Sequence, residues 1–333
     1  MEHKGEHMIS EFQKPLESLF HAKSEPSEVL HGIDLSNKTV IITGGYSGIG
    51  LETTKAILKA GAKVILPCRR LDEAKKNLDP NDKNLILKSM DLSSIESIDG
   101  FSAFISNENL SVDILINNAG IMACPETRIG DGWESQFGVN HLGHFFLLKK
   151  LIPFFNDGAR FVSLSSTAHI FSPIRWDDIH FTKNSYDKWI AYGQSKTASS
   201  LIAVHFNELM SDKNIHGYAV HPGGIFTPLQ RHLQNEEMVA LGWLKEDGSP
   251  SDLALQGFKT PSQGATTTLW AATSPMLKDI GGIYCENCNI AQLKSEFENP
   301  EASRYIGVAD WAVSKEDAKK LWDYSEKTLE QWL

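Results

Sequence analysis

The thirteen residues NSYDKWIAYGQSK, 184–196, hold two tyrosines and two lysines, side chains that can pass a proton to an oxygen and tune one another's charge. Tyr186 and Lys188 are two apart and would point to different faces of a helix. Tyr192 and Lys196 are four apart, so they stack one turn apart on the same face. A phenol beside an ammonium suits chemistry at a carbonyl or alcohol oxygen, where developing negative charge must be stabilised and protonated. A free phenol has a pKa of roughly 10, and lowering it to about 7 takes about 4 kcal/mol of preference for phenolate. One lysine at contact supplies about 1 kcal/mol in water and about 4 kcal/mol at an effective dielectric near 20. The pair therefore works only in a partly dry site. The same spacing also occurs on ordinary solvated helices, so the decision rests with the rest of the chain.

A second set of reactive side chains leads nowhere as clear. Cys285 and Cys288 form a CxxC, but Cys68 and Cys124 are isolated, so the second pair of a zinc ribbon is missing. They read as small residues near a strand end. His141 and His144 share a helix face without an evident third ligand, and His3 and His7 stand in a charged leader, so no metal site is expected. The net charge of -10 disfavours nucleic acid and anionic lipid as partners. No apolar run approaches the length of a membrane span, and the polar start has no signal-peptide core. The expectation is a cytoplasmic protein that acts on a small molecule, with a homo-oligomer left open.

The elements that must position Tyr192 and Lys196 alternate in type. Short apolar runs at 38–44, 62–68, 84–91, 112–120, 159–166, 215–223 and 281–287 read as strands. Between them lie stretches with helical spacing, among them GIGLETTKAILKAGA, one long helix over WESQFGVNHLGHFFLLKKLIPFF, and another over KWIAYGQSKTASSLIAVHFNELM. Strands apolar throughout and separated by helices imply a parallel sheet buried on both faces. Right-handed crossovers then give an α/β, doubly wound, Rossmann-type fold. Residues 1–36 read as an N-terminal arm and 37–333 as one domain, with an insert at about 168–190 and a helical C-terminal tail.

TGGYSGIG, 43–50, stands where the first strand passes into the first helix. Gly44 permits the turn, Gly48 lets a phosphate approach the backbone and Gly50 allows close packing, while the helix start offers free N–H groups to an anion. The second strand ends PCRR, with no acid before Asp72. An acid there would accept from an NAD ribose, whereas Arg69 and Arg70 suit the extra phosphate of NADP, so NADP(H) is the expected cofactor.

The order of these motifs resembles the short-chain dehydrogenase/reductase family over roughly residues 38–288. TGGYSGIG is similar to its TGxxxGxG turn, NNAG (117–120) to its fourth-strand motif, YGQSK to its YxxxK, and HPGGIFT (221–227) to its PG-and-threonine segment. The PCRR strand end, the long insert and the AKKLW tail resemble the branch of retinol dehydrogenases and the WW-domain oxidoreductase. Neither a membrane anchor nor a WW domain is evident, so a retinoid substrate does not follow. The resemblance implies catalytic roles for Asn140, Ser166, Tyr192 and Lys196. Ser166 would bind the substrate oxygen, with Ser165 its nearest competitor. Lys196 would also hold the nicotinamide ribose, and Asn140 would support a water-linked proton path to it. The cofactor would meet Tyr46, Ser47 and Ile49 in the glycine turn, then Asp91, Leu92, Asn118, Ala119 and Gly120, and finally Pro222, Gly223, Ile225 and Thr227.

Substrate in such a fold sits beyond the carboxyl ends of the strands. The segments 121–130, 168–190 and 228–258 reach that edge and carry Phe171, Trp176, Trp189 and Trp243, with Phe226 just before the last of them. Together they favour an apolar ketone, aldehyde or secondary alcohol. Two other classes stay open: a silent NADP-binding sensor, and an epimerase or dehydratase that recycles its cofactor.

Overall fold

The computed structural model describes residues 8–299 and 305–333; His3 and His7 lie outside the described residues. The strands are β1 Thr39–Ile42, β2 Lys63–Cys68, β3 Leu85–Ser89, β4 Val112–Asn117, β5 Phe155–Leu164, β6 His216–His221, β7 Ile283–Glu286 and β8 Asn289–Ile290. They form one sheet in the order β8-β7-β6-β5-β4-β1-β2-β3, parallel except for β8. The chain starts in the middle, winds outward to β3, then crosses back through β4. That reversal opens a crevice at the carboxyl ends of β1 and β4.

Alternation along each strand explains why the runs are apolar throughout. Val40 and Ile42 feed one core while Ile41 feeds the other, and Val64 and Leu66 against Ile65 repeat the pattern. The principal helices are α1 Gly48–Lys59, α2 Leu71–Asn77, α3 Ile95–Asn107, α4 His144–Leu151, α5 Lys188–Met210, α6 Pro261–Thr273 and α7 Lys315–Leu329. On one face α1 packs against α6, and on the other α7 lies across α5. The tail helix α7 also grips the helix before β5. Trp322 stands edge-on to Phe145 at 4.8 Å, and Lys149 pairs with Glu326 at 2.6 Å.

Three elements differ from expectation. The long helix over 133–155 is a composite: a hairpin ends at Trp133–Glu134, a turn follows, Gly138–Gly143 is a π-helix, and only then does α4 begin. Periodicity cannot reveal such a widened turn, because all of its residues are buried or nearly so. The CxxC straddles a hairpin. Asn287 and Cys288 have φ of 51° and 57°, the left-handed pair of a two-residue turn, and send the chain back as the unpredicted edge strand β8. The arm, finally, is laid along the sheet from residue 8 onward. Gln13 donates to Tyr284 O and Ala291 O and accepts from Tyr284 N, occupying main-chain groups beside β7.

Candidate active site

The helix α5 carries the pair. Asp187 caps it by accepting from Trp189 N and Ile190 N, which sets where the helix begins and so which face Tyr192 and Lys196 share. That face is turned inward, leaving the two side chains 3 % and 5 % exposed. Lys196 Nζ donates to Leu164 O at 2.9 Å and lies 5.7 Å from the centre of the Tyr192 ring. The two serines after β5 separate cleanly. Ser165 Oγ donates to the main-chain oxygen of Lys196 at 2.7 Å, whereas the Ser166 side chain hydrogen-bonds with the Tyr192 phenol. Asn140 sits in the π-helix, behind Gly120. Its Oδ1 accepts from Ile121 N at 2.9 Å and its Nδ2 donates to Ile121 O and to Ser195 Oγ.

Burial sets the charges. It raises the Tyr192 phenol to about 12, more than the Ser166 hydrogen bond lowers it. It lowers the Lys196 ammonium to about 8. At neutral pH the Tyr192 phenol thus keeps its proton and the Lys196 ammonium its charge.

Ser166, Tyr192 and Lys196 open onto one cavity of about 550 Å³, of the size that takes a cofactor or small ligand. Every predicted cofactor residue lines it too: Gly44 to Gly50 by way of Tyr46, Ser47, Gly48 and Ile49; Arg69 and Arg70; Asp91 and Leu92; Asn118 to Gly120; and Pro222, Gly223, Ile225 and Thr227. Asn140 alone of the predicted set does not. The residues fit a dinucleotide. Gly44 has φ +63°, and a Cβ on Gly50 would stand 2.4 Å from Gly44 O, so the turn cannot be built with larger residues. Ser47 caps α1 without a side-chain bond, which leaves the first N–H groups facing the cavity for a phosphate.

A family model of short chain dehydrogenases matches residues 38–238. The chain belongs to the short-chain dehydrogenase/reductase family. It is 37 % identical over 305 residues to a probable oxidoreductase of Streptomyces antibioticus, covering 89 % of this chain and 99 % of the relative. It is 32 % identical over 320 residues to retinol dehydrogenase 14 of Mus musculus, covering 90 % and 86 %. A crystal structure of an uncharacterised Mycobacterium paratuberculosis protein superposes with a TM-score of 0.68 at 28 % identity, over 89 % of this chain and 95 % of the other. The protein is therefore an oxidoreductase of this family, in a branch resembling the retinol dehydrogenases, and the family binds a nicotinamide cofactor.

In this family member the substrate side differs from expectation at two aromatics. Phe171, Trp189 and Trp243 line the cavity, joined by Leu229 and Phe258. Trp176 does not; it packs toward α7, with Lys320 Nζ 4.1 Å from its ring. Phe226 turns outward and stacks on Phe258 at 4.9 Å. Only the two ends of the insert reach the site. Its middle is tied by Asp178, which accepts from Thr182 N, Lys183 N and Asn184 N.

Two supporting residues went unread in the sequence. Thr43 Oγ1 accepts from Asn118 N and Ala119 N, so its single proton goes to His144 Nε2 at 2.9 Å. His144 Nδ1–H then donates to Asn140 O at 3.0 Å, and burial holds the ring neutral, its pKa lowered to about 4. His144 thereby joins the glycine turn to the π-helix, and His141 bonds Ser325 on α7 instead. Gln136 is the second. Its Oε1 accepts from Ala123 N, while its Nε2 donates to Tyr186 Oη and Lys188 O, tying the 121–124 wall to the start of α5. Gln136→Leu strands Ala123 N and takes one partner each from Lys188 O and Tyr186 Oη, which keeps its bond to Cys124 O, and should lower the unfolding free energy by about 2 kcal/mol, read from denaturant melts.

Proposed function

We propose that the protein is an NADP(H)-dependent oxidoreductase acting on a mainly apolar ketone, aldehyde or secondary alcohol. Tyr192 is its general acid and base. The observation that carries this reading is the meeting of Ser166, Tyr192 and Lys196 at the wall of one cavity that Arg69 also lines. When bound, the dinucleotide supplies or accepts the hydride. The Ser166 hydroxyl and the Tyr192 phenol hydrogen-bond the substrate oxygen, and the phenol donates its proton as charge builds there. Lys196 stabilises the phenolate left behind, and Asn140 holds the Ile121 segment beside it. Apolar walls from Phe171, Trp189, Leu229 and Trp243 exclude water and favour an apolar substrate. The charge of -10, and the absence among the described residues of any helix able to cross a membrane, support a cytoplasmic enzyme of small molecules.

At neutral pH the Tyr192 phenol holds the proton that carbonyl reduction consumes. Following NADPH absorbance with a panel of neutral aldehydes and ketones tests the proposal. Net oxidation is expected; phosphorylated or highly charged substrates winning clearly would reject the substrate class. For reduction, kcat/KM should stay level below pH 8 and fall above it. There Lys196, at about 8, loses its charge while Tyr192 keeps its proton. A rate that instead climbs through that range would exclude the charged lysine.

A further inference from the structure

Lys259 is a buried cation that the proton chemistry does not use. It stands just before α6, whose start is marked by the capping box of Thr260 and Gln263 with Pro261 between them. The residue is 7 % exposed, it lines the cavity, and among the described residues its Nζ has no hydrogen-bond acceptor. Its stem lies against the loop after β6. A Cβ on Gly223, where φ is +105°, would be 2.7 Å from Lys259 Cε and 3.2 Å from Nζ. Gly224 makes similar room for the Phe258 ring, and Lys259 N donates to Gly224 O at 2.8 Å. The doubled glycine of HPGG therefore lets a lysine stem pack directly on the loop through which Pro222, Gly223, Ile225 and Thr227 face the cavity.

An ammonium out of water and without an acceptor is costly, and such a group gains most from an anion. Glu286 also lines this arm of the cavity but does not neutralise Lys259. Among the described residues the two form no ion pair, Glu286 Oε1 accepts from Gly307 N at 2.7 Å, and burial raises the Glu286 pKa. Burial draws Lys259 down to about 8, Cys288 and Glu286 pull it back up, and Lys23 pushes it down. It is still mostly charged at neutral pH. A lysine is a point charge on a flexible stem, so rotation of its last bonds turns Nζ from the loop toward a ligand.

We propose that Lys259 is a ligand-binding residue of this cavity that takes an anionic oxygen, from the dinucleotide's diphosphate or from a carboxylate on the substrate. The assignment rests on reading the cavity as a dinucleotide-dependent active site. NADPH titration of the unaltered protein tests that reading, and absence of binding there takes both down. Given binding, Lys259→Met and Lys259→Gln are compared with the parent in NADPH affinity and in KM for 4-carboxybenzaldehyde against benzaldehyde. A loss of about ten- to a hundredfold in NADPH affinity assigns the diphosphate. The same loss confined to the carboxylated aldehyde assigns the substrate. In either case the ligand-free variant should melt higher than the parent, since an uncompensated charge is gone. Affinity and KM both unchanged in a folded variant overturn the proposal. Should neither variant fold, acetylation of the parent decides: protection of Lys259 by NADPH or by the carboxylated aldehyde supports it, and equal labelling overturns it.

Discussion

Tyr192→Phe should lower carbonyl reduction by about 10³-fold while leaving NADPH affinity unchanged, the range expected when a positioned general acid is removed. The substitution deletes one oxygen from a side chain that is already buried, so packing is preserved and the loss lies in chemistry. Ser166 keeps a partner, since its Oγ still accepts from Ala168 N at 3.2 Å. The loss should therefore fall on kcat and kcat/KM equally, as for an interaction made only in the transition state. Tyr186→Phe is the matched control. That phenol donates to Cys124 O at 3.0 Å and does not line the cavity, so it has no substrate oxygen to protonate. It should cost stability and little turnover. Retained turnover in Tyr192→Phe, or equal losses in the two variants, would remove Tyr192 from the mechanism.

What the sequence carried and what it hid divide along physical lines. The strands were legible because a parallel strand buried on both faces must be apolar on both alternating sets of positions through its middle, as in VII at 40–42 and ILI at 114–116. The glycine turn was legible because only glycine adopts its backbone or tolerates its contacts. Tyr192 and Lys196 were legible because a helix fixes what four residues of separation mean. The π-helix around Asn140 was hidden, since its widened turn depends on contacts with Ile121 and Ser195 far along the chain. Trp176 was misplaced for a related reason: which way an insert's aromatic turns is settled by the tail helix it meets. Lys259 was hidden among ordinary charges, because an unpaired buried ammonium is a property of its surroundings. A local signal was the doubled glycine of HPGG, whose Gly223 leaves room for the Lys259 stem and whose Gly224 leaves room for Phe258.

Arg69→Asp should lower the ratio of kcat/KM for NADPH over NADH by about 10²- to 10³-fold, losing charge-assisted hydrogen bonds and adding a repelling carboxylate. The two arginines of PCRR are not equivalent. Arg70 Nε is 2.9 Å from Glu73 Oε2, an i,i+3 pair on α2, while Arg69 has no ion-pair partner among the described residues. A guanidinium already facing a carboxylate has less to offer a phosphate, so Arg70→Asp should move the ratio far less. The glycine turn supplies the same N–H groups to either dinucleotide, and NADH turnover should survive both changes. Because both arginines are exposed, the Arg69 effect should shrink as salt is raised. A ratio that moves with Arg70 and not Arg69 would reassign the phosphate. A ratio that moves with neither would leave the PCRR strand end without a role in choosing the cofactor, and the NADP(H) preference would fall with it.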